Sequence, residues 1–212
     1  MTKAIFFDVA NTLLYKPQLF EKMAEVLAFR GHTLDKNELA YKHKILSEAV
    51  DFPDKTNEHF YKSFNTQLLL SLGIEPVESL LSELFAKCSY LPWLPFQDTE
   101  ALLTLNIPLG IISNWDNQLE STLKANFEVS FRWILGSQHL GLRKPDSRFF
   151  MKAIESTGFN AEEIMVVGDS VKLDIVPAAR LGMGSVLVDR ITLYPNSPFR
   201  RVKSLLDLER FI

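Results

Sequence analysis

Five times along this chain a run of four or five residues, nearly all apolar, ends on a small or polar residue. Ala4-Ile5-Phe6-Phe7 stops at Asp8, Leu109-Gly110-Ile111-Ile112 at Ser113, and Ile164-Met165-Val166-Val167 at Gly168-Asp169. Phe131-Arg132-Trp133-Ile134-Leu135 stops at Gly136, and Ser185-Val186-Leu187-Val188 at Asp189. Segments this short and this apolar fit strands covered on both faces, which is the pattern of a parallel sheet. Amphipathic stretches of helical period, Ser147 to Thr157 and Val171 to Leu181, separate the later runs. Pro177 falls in the first turn or two of the second stretch, where a missing N–H costs little. Strands alternating with helices predict a doubly wound α/β domain.

From about Lys16 to Leu91 no strand-like run occurs. Leu19 to Phe29, Glu38 to Val50, Asn57 to Leu72 and Val77 to Cys88 instead carry apolar residues at three- and four-residue spacing. Gly31, the Asp51-Phe52-Pro53-Asp54 cluster and Gly73 through Pro76 punctuate them. The expected organisation is therefore an α/β core over residues 1–15 and 92–212, with an all-helical cap over 16–91 inserted after the first strand. Pro92-Trp93-Leu94-Pro95 supplies a stiff linker back into the core.

The composition of the 212 residues excludes several classes of function. Hydrophobic residues make up 47% and charged residues 23%, enough to bury a core without disulfide or metal staples. Lys and Arg number 23 against 26 Asp and Glu, a net charge of −3 that argues against nucleic acid or an anionic membrane as partner. No stretch reaches the roughly twenty uninterrupted apolar residues of a membrane span. Cys88 stands alone, and the N-terminus reaches Asp8 before a leader-like run develops, so a reducing cytoplasmic setting is expected. No obligate protein partner is evident. The expected partner is a small phosphorylated or otherwise anionic metabolite.

In an open parallel sheet, ligands bind at the carboxyl ends of the strands. Those ends present Asp8, Ser113 with Asn114, and Gly168-Asp169-Ser170; Asp174 follows in the next helix, and Lys144 precedes Pro145-Asp146. Taken singly, each is an ordinary turn former, helix cap or solvated lysine. Taken together, two or three carboxylates, a hydroxyl and a cation converge on one point. Phosphoryl transfer needs that set: a carboxylate nucleophile, a second carboxylate for a divalent cation, and donors for the phosphoryl oxygens.

Phe6-Phe7-Asp8-Val9-Ala10-Asn11-Thr12-Leu13, Ile111-Ile112-Ser113-Asn114, Arg143-Lys144-Pro145-Asp146 and Val167-Gly168-Asp169-Ser170-Val171-Lys172-Leu173-Asp174 resemble four motifs. They are those of the haloacid dehalogenase-like (HAD) hydrolase superfamily, and they span nearly the whole chain in order. The helical insertion resembles the cap of the dehalogenase/phosphatase-like subfamily. Ser113-Asn114-Trp115-Asp116 and the Asp8-Val9 start are similar to its REG-2-like members. The resemblance implies a Rossmann-like HAD core in which Asp8 attacks phosphorus and becomes an aspartyl-phosphate. It implies Mg²⁺ held by Asp8, Asp169 and the Ala10 carbonyl, with Asp174 supporting the metal or Lys144. Ser113 and Lys144 would hold phosphoryl oxygens, with Thr12, Asn114 and Trp115 as substrate contacts.

One position departs from the phosphatase motif. The second Asp, two residues after the nucleophile, is Ala10 here. In phosphatases of the family that Asp protonates the leaving alkoxide and later activates water, a role worth roughly 10²–10⁴-fold per step. Four chemistries remain open. One is a Mg²⁺-dependent phosphatase with slow turnover, another base, or a preference for good leaving groups. A second is a metal-independent 2-haloacid dehalogenase, since halide leaves without a proton. A third is a phosphonate hydrolase, which would require a Schiff-base lysine in the cap. The fourth is a non-catalytic binding protein on the same fold.

Other residues carry less. Tyr41-Lys42-His43-Lys44 reads as a basic cluster, either solvated or facing an anionic substrate. His32, His59 and His139 have no ligand partners at metal spacing. Cys88 reads as buried and inert, and the sixteen phenylalanines as core filling.

Overall fold

The computed structural model describes all 212 residues, Met1–Ile212. Strands β1 (Ala4–Phe7) and β2 (Leu14–Tyr15) open the chain, and four helices follow: α1 (Leu19–Phe29), α2 (Lys36–Ala49), α3 (Glu58–Ser71) and α4 (Glu78–Cys88). The chain then runs through β3 (Leu94–Pro95), a 3₁₀ segment (Gln97–Leu103), β4 (Leu109–Ser113), α5 (Leu119–Asn126), β5 (Trp133–Gly136) and α6 (Ser137–Leu140). It finishes with α7 (Ser147–Thr157), β6 (Ile164–Gly168), α8 (Val176–Arg180), β7 (Gly184–Val188), β8 (Arg201–Val202) and a 3₁₀ segment (Leu205–Phe211). The residues divide into two compact units, Met1–Tyr15 with Pro95–Ile212, and Lys16–Leu94.

In the first unit six parallel strands lie in the order β5-β4-β1-β6-β7-β8. The direction of the order changes at β1, with β4 and β5 on one side and β6 to β8 on the other. Its carboxyl end is therefore the switch point where such sheets form a ligand crevice. Every residue of β1, β4 and β6 is buried, as the unbroken apolar runs require. Phe6 is inaccessible to solvent and stacks on Trp133, ring centroids 5.6 Å apart. Gly110 makes room for that ring, because a Cβ there would lie 2.6 Å from it. Gly110→Ala is expected to overpack the sheet at a cost of about 1–3 kcal/mol. Thermal unfolding should show a fall of roughly 2–4 °C per kcal/mol in a chain of this size.

Two elements differ from the sequence reading. Val171 to Leu181 is not one α-helix. A π turn over Val171–Ile175 precedes α8. The ring of Pro177 would crowd the carbonyl four residues back in a regular helix, and the wider turn relieves it. The Ile175 N–H accordingly reaches back five residues to the Ser170 carbonyl (3.2 Å). The second difference is β8, which no apolar run announced. A two-residue edge strand between Arg200 and Lys203 buries only Val202 fully and leaves no periodic trace.

The second unit is four helices around a core of Met23, Val26, Leu27, Leu39, Phe64, Leu68, Leu69 and Leu84, with the Cys88 thiol buried at its edge. Burial pushes that thiol up to about 11, so it stays protonated. Asp35 and Asn57 cap α2 and α3 by accepting from the N–H groups of Asn37 and Phe60. Phe29 is 83% exposed, so not every phenylalanine fills a core. The cluster on α2 is not a block of free positive charge either. Lys42 pairs with Glu38 and Lys44 with Glu48, while His43 meets the rings of Phe20 and Phe64 edge-on.

Burial, helped by the Lys44 charge, lowers the His43 pKa to about 4. Between pH 6.5 and 4 the unfolded chain therefore binds a proton at this residue that the folded chain does not. Stability rises with pH across that window, and the His43 contribution is lost as pH falls through it. His43→Leu should remove roughly 3 kcal/mol of acid sensitivity, read from urea unfolding at pH 7 and pH 4. No helix of the chain is long and apolar enough to cross a membrane.

Candidate active site

Asp8 follows directly on β1, its N–H bonded to the Val167 carbonyl of β6 (2.9 Å), which fixes the carboxylate at the switch point. The chain then turns tightly. The Val9 carbonyl accepts from the N–H groups of Thr12, Leu13 and Leu14, and Asn11 takes φ +61°, a conformation asparagine tolerates better than most residues. The turn folds Thr12 back over the carboxylates. Its hydroxyl lies 3.4 Å from both Asp8 Oδ2 and Asp169 Oδ1. Ser113, closing β4, donates to Asp8 Oδ1 (3.0 Å).

Asp169 follows β6, and the π turn after it delivers Asp174. The Ser170 hydroxyl caps this turn through the Leu173 N–H (2.9 Å), and the Ser170 N–H donates to Asp174 Oδ2 (3.1 Å). Gly168 is required here, since a Cβ would sit 2.3 Å from the Asp174 carboxyl group. Lys144, on the loop leading to α7, is 3% exposed. Its ammonium donates to Asp8 Oδ1 and Asp174 Oδ1, both at 2.6 Å. Carboxylate oxygens of Asp8, Asp169 and Asp174 all lie within 4.8 Å of one another.

When all three are ionised, the carboxylates exceed the one ammonium by two negative charges, in a site where none of the four residues is more than 8% exposed. Burial works against the charge on Lys144, but Asp174 and Asp8 outweigh it and hold the ammonium well above the ordinary lysine range. Burial pushes Asp174 above the usual carboxylate range; Lys144 opposes the shift, while Asp8 and Asp169 add to it. A divalent cation among hard oxygen donors at this spacing would balance the charge, so the residues present fit Mg²⁺.

The sequence-predicted residues Asp8, Thr12, Ser113, Lys144, Asp169 and Asp174 are thus brought together. Ala10 lies two residues beyond Asp8, in the turn, and has no side-chain group to exchange a proton. Asn114, expected as a substrate contact, also braces a neighbouring loop. Its carboxamide is turned to the backbone of Lys144, donating to the carbonyl (3.0 Å) and accepting from the N–H (2.8 Å). A side chain joining two loops is invisible to motif spacing. Trp115 is half-buried, its N–H bonded to the Ser137 hydroxyl (3.0 Å).

The parallel sheet with helices on its faces defines a Rossmann-like α/β protein. A family model for haloacid dehalogenase-like hydrolases matches residues 2–182, and the chain belongs to that family. It is an enzyme of the hydrolase class, and its relatives include proteins named as phosphatases and one named as a dehalogenase. A glyceraldehyde 3-phosphate phosphatase of Methanothermobacter thermautotrophicus is 29% identical over 208 residues, covering 89% of this chain and 86% of that one. The rhythmically expressed gene 2 protein of Drosophila melanogaster is 27% identical over 216 residues (88% and 82% covered). An (S)-2-haloacid dehalogenase of Pseudomonas putida is 26% identical over 200 residues (89% and 85%). Among solved structures, the magnesium-bound HAD-hydrolase YfnB of Bacillus subtilis shares the fold with a TM-score of 0.68 at 18% identity, covering 99% of this chain and 97% of that one.

Proposed function

We propose that this hydrolase is a Mg²⁺-dependent phosphatase of a small phosphorylated metabolite in the cytoplasm, working through an aspartyl-phosphate on Asp8. The observation that carries the reading is the charge count: three buried carboxylates within 4.8 Å against the single ammonium of Lys144. A dehalogenase that needs no metal has no use for that excess of negative charge, whereas a divalent cation and a phosphoryl group together do.

Asp8, Asp169 and the Ala10 carbonyl would hold the ion, with Asp174 beside them. Bound there, Mg²⁺ supplies charge stabilisation for the phosphoryl oxygens. The chain does the rest. Oδ1 of Asp8 is engaged by Lys144 and Ser113, while Oδ2 has only the longer Thr12 contact, so Oδ2 is the less encumbered oxygen for attack on phosphorus. Attack forms the Asp8–phosphorus bond and expels the alcohol oxygen with its electron pair. Ser113 and Lys144 then donate to the phosphoryl oxygens. Water attacks phosphorus in the second half, releasing phosphate and restoring the Asp8 carboxylate. Ala10 can give no proton to the leaving oxygen and take none from that water, so the alkoxide takes its proton from solvent and the attacking water gives its proton to solvent. The helical unit Lys16–Leu94 is assigned the role of a cap.

Ala10 is also the observation that favours a second reading, 2-haloacid dehalogenase, because halide needs no proton to leave. A panel of phosphate esters and haloacids, assayed with and without Mg²⁺, separates the two. Phosphate release that requires Mg²⁺ is expected. Halide release from 2-chloropropionate in the absence of metal would overturn the phosphatase reading, and turnover of neither class would leave a binding protein.

A further inference from the structure

Arg190 follows β7 by two residues, on the same edge of the sheet as Asp8, Ser113 and Asp169. The sequence reading stopped at Asp189, the residue that closes the last apolar run. The Arg190 guanidinium makes a two-pronged pair with Asp98, Nη1 to Oδ2 at 2.6 Å and Nη2 to Oδ1 at 3.0 Å. Nη2 also donates to the backbone carbonyl of Thr12 (3.0 Å). The guanidinium lies over the Phe96 ring, 3.8 Å from its centroid. Phe96 in turn donates its N–H to the Leu13 carbonyl (3.0 Å) and stacks on Tyr15 (4.1 Å). Asp98 is fixed from behind by the Ser204 hydroxyl (3.0 Å) and the Leu205 N–H (2.8 Å). Arg190 and Phe96 meet the turn that carries Ala10 and Thr12 at the carbonyls of Thr12 and Leu13.

The geometry points to Arg190 as a positioning residue of the active site: held by Asp98 and Phe96, it fixes the turn after β1 through the Thr12 carbonyl. The inference rests on the functional reading above for its kinetic consequence, though not for its structural one. The turn is short, contains a residue at positive φ, and closes on the Val9 carbonyl, with the Asn11 N–H donating to the Leu14 carbonyl (2.6 Å). Internal bonds alone leave it free to rock as a unit. The rest of the unit grips it at two adjacent carbonyls, Leu13 through the Phe96 N–H and Thr12 through the guanidinium, and Arg190 is the side-chain donor of the two. A fixed turn keeps the Thr12 hydroxyl over Asp8 and Asp169 and keeps the Ala10 carbonyl directed where the resemblance puts a metal ligand. Arginine suits this place because its planar fork donates in several fixed directions at once. Lysine offers a point charge on a flexible stem.

The test uses the full chain with Arg190→Lys, and a second variant combining Arg190→Gln with Asp98→Asn, which leaves no unpaired charge if the first folds poorly. Hydrogen exchange is followed at the Thr12, Leu13 and Leu14 amides, and kinetics are measured alongside. Exchange at these amides should rise about tenfold or more in both variants, while β4 and β6 stay protected as in wild type. Phosphatase kcat should fall about tenfold with KM within about twofold, the signature of lost organisation rather than lost substrate contact. The half-saturating Mg²⁺ concentration should rise with it. Unchanged exchange in the turn, or a rise spread evenly over the whole sheet, would overturn the positioning role. If wild type turns over no phosphate ester, the functional reading fails, and the exchange comparison still decides the role of Arg190.

Discussion

Asp8→Asn should abolish phosphate release, with a loss on the order of 10⁴–10⁶-fold, the range seen when a covalent catalyst loses its nucleophile or the group that activates it. The amide has the shape of the carboxylate and none of its nucleophilicity. It still accepts from Lys144 and Ser113, so the fold should survive intact. With one of the three carboxylates neutralised, repulsion in the cluster drops, and the variant should melt no lower than wild type in the absence of metal. The two differ again once Mg²⁺ is added. Wild type should gain thermal stability with Mg²⁺ concentration, and Asp8→Asn should gain less, having lost an anionic ligand. Steady-state assays and thermal melts on one preparation check both points. Full activity in Asp8→Asn would sink the phosphatase and the dehalogenase readings together.

The second large effect turns on Ala10. Without a proton donor two residues after the nucleophile, a substrate whose leaving group needs no protonation, such as a nitrophenyl ester or an acyl phosphate, should outpace an alkyl phosphate. Without a base at the same place, attack of water on the aspartyl-phosphate becomes the slow step. Rapid mixing should then show a burst of leaving group, close to one per active site, followed by a slow steady state. Ala10→Asp should speed alkyl phosphate turnover by roughly 10²–10⁴-fold, the worth of one proton-transfer role. The absence of a burst, of leaving-group dependence and of any gain from the substitution would assign the proton to another group or remove phosphoryl chemistry from this site.

The parallel sheet was legible because it obeys a local rule. Strands buried on both faces, such as Ala4–Phe7 and Ile164–Gly168, cannot be built without unbroken apolar runs, and their last residues then fall on one edge by topology alone. The four helices of the second unit were legible for the same kind of reason, from their apolar period. The chain hid what depends on contacts between distant segments. The π turn at Val171–Ile175 answers to Pro177 and to the docking of Asp174 over Gly168, and neither is a periodic signal. Asn114 reads as a motif neighbour of Ser113, but its work is done thirty residues away on the Lys144 backbone. Arg190 and Asp98 are ninety-two positions apart, and nothing in either local sequence announces the other.

Lys144 illustrates what such long-range holding achieves. A lysine side chain in water samples many rotamers, and ordering it costs about 1.5–2 kcal/mol. Here the main chain at Lys144 is clasped by Asn114, and the ammonium at the far end of the arm is clasped by Asp8 and Asp174. Both ends of the tether are fixed before any substrate arrives. The disorder was surrendered once, when the chain folded, and is not surrendered again in each catalytic cycle. A charge delivered this way meets a developing anion with little left to rearrange, so its contribution to rate is carried in the stability of the resting protein.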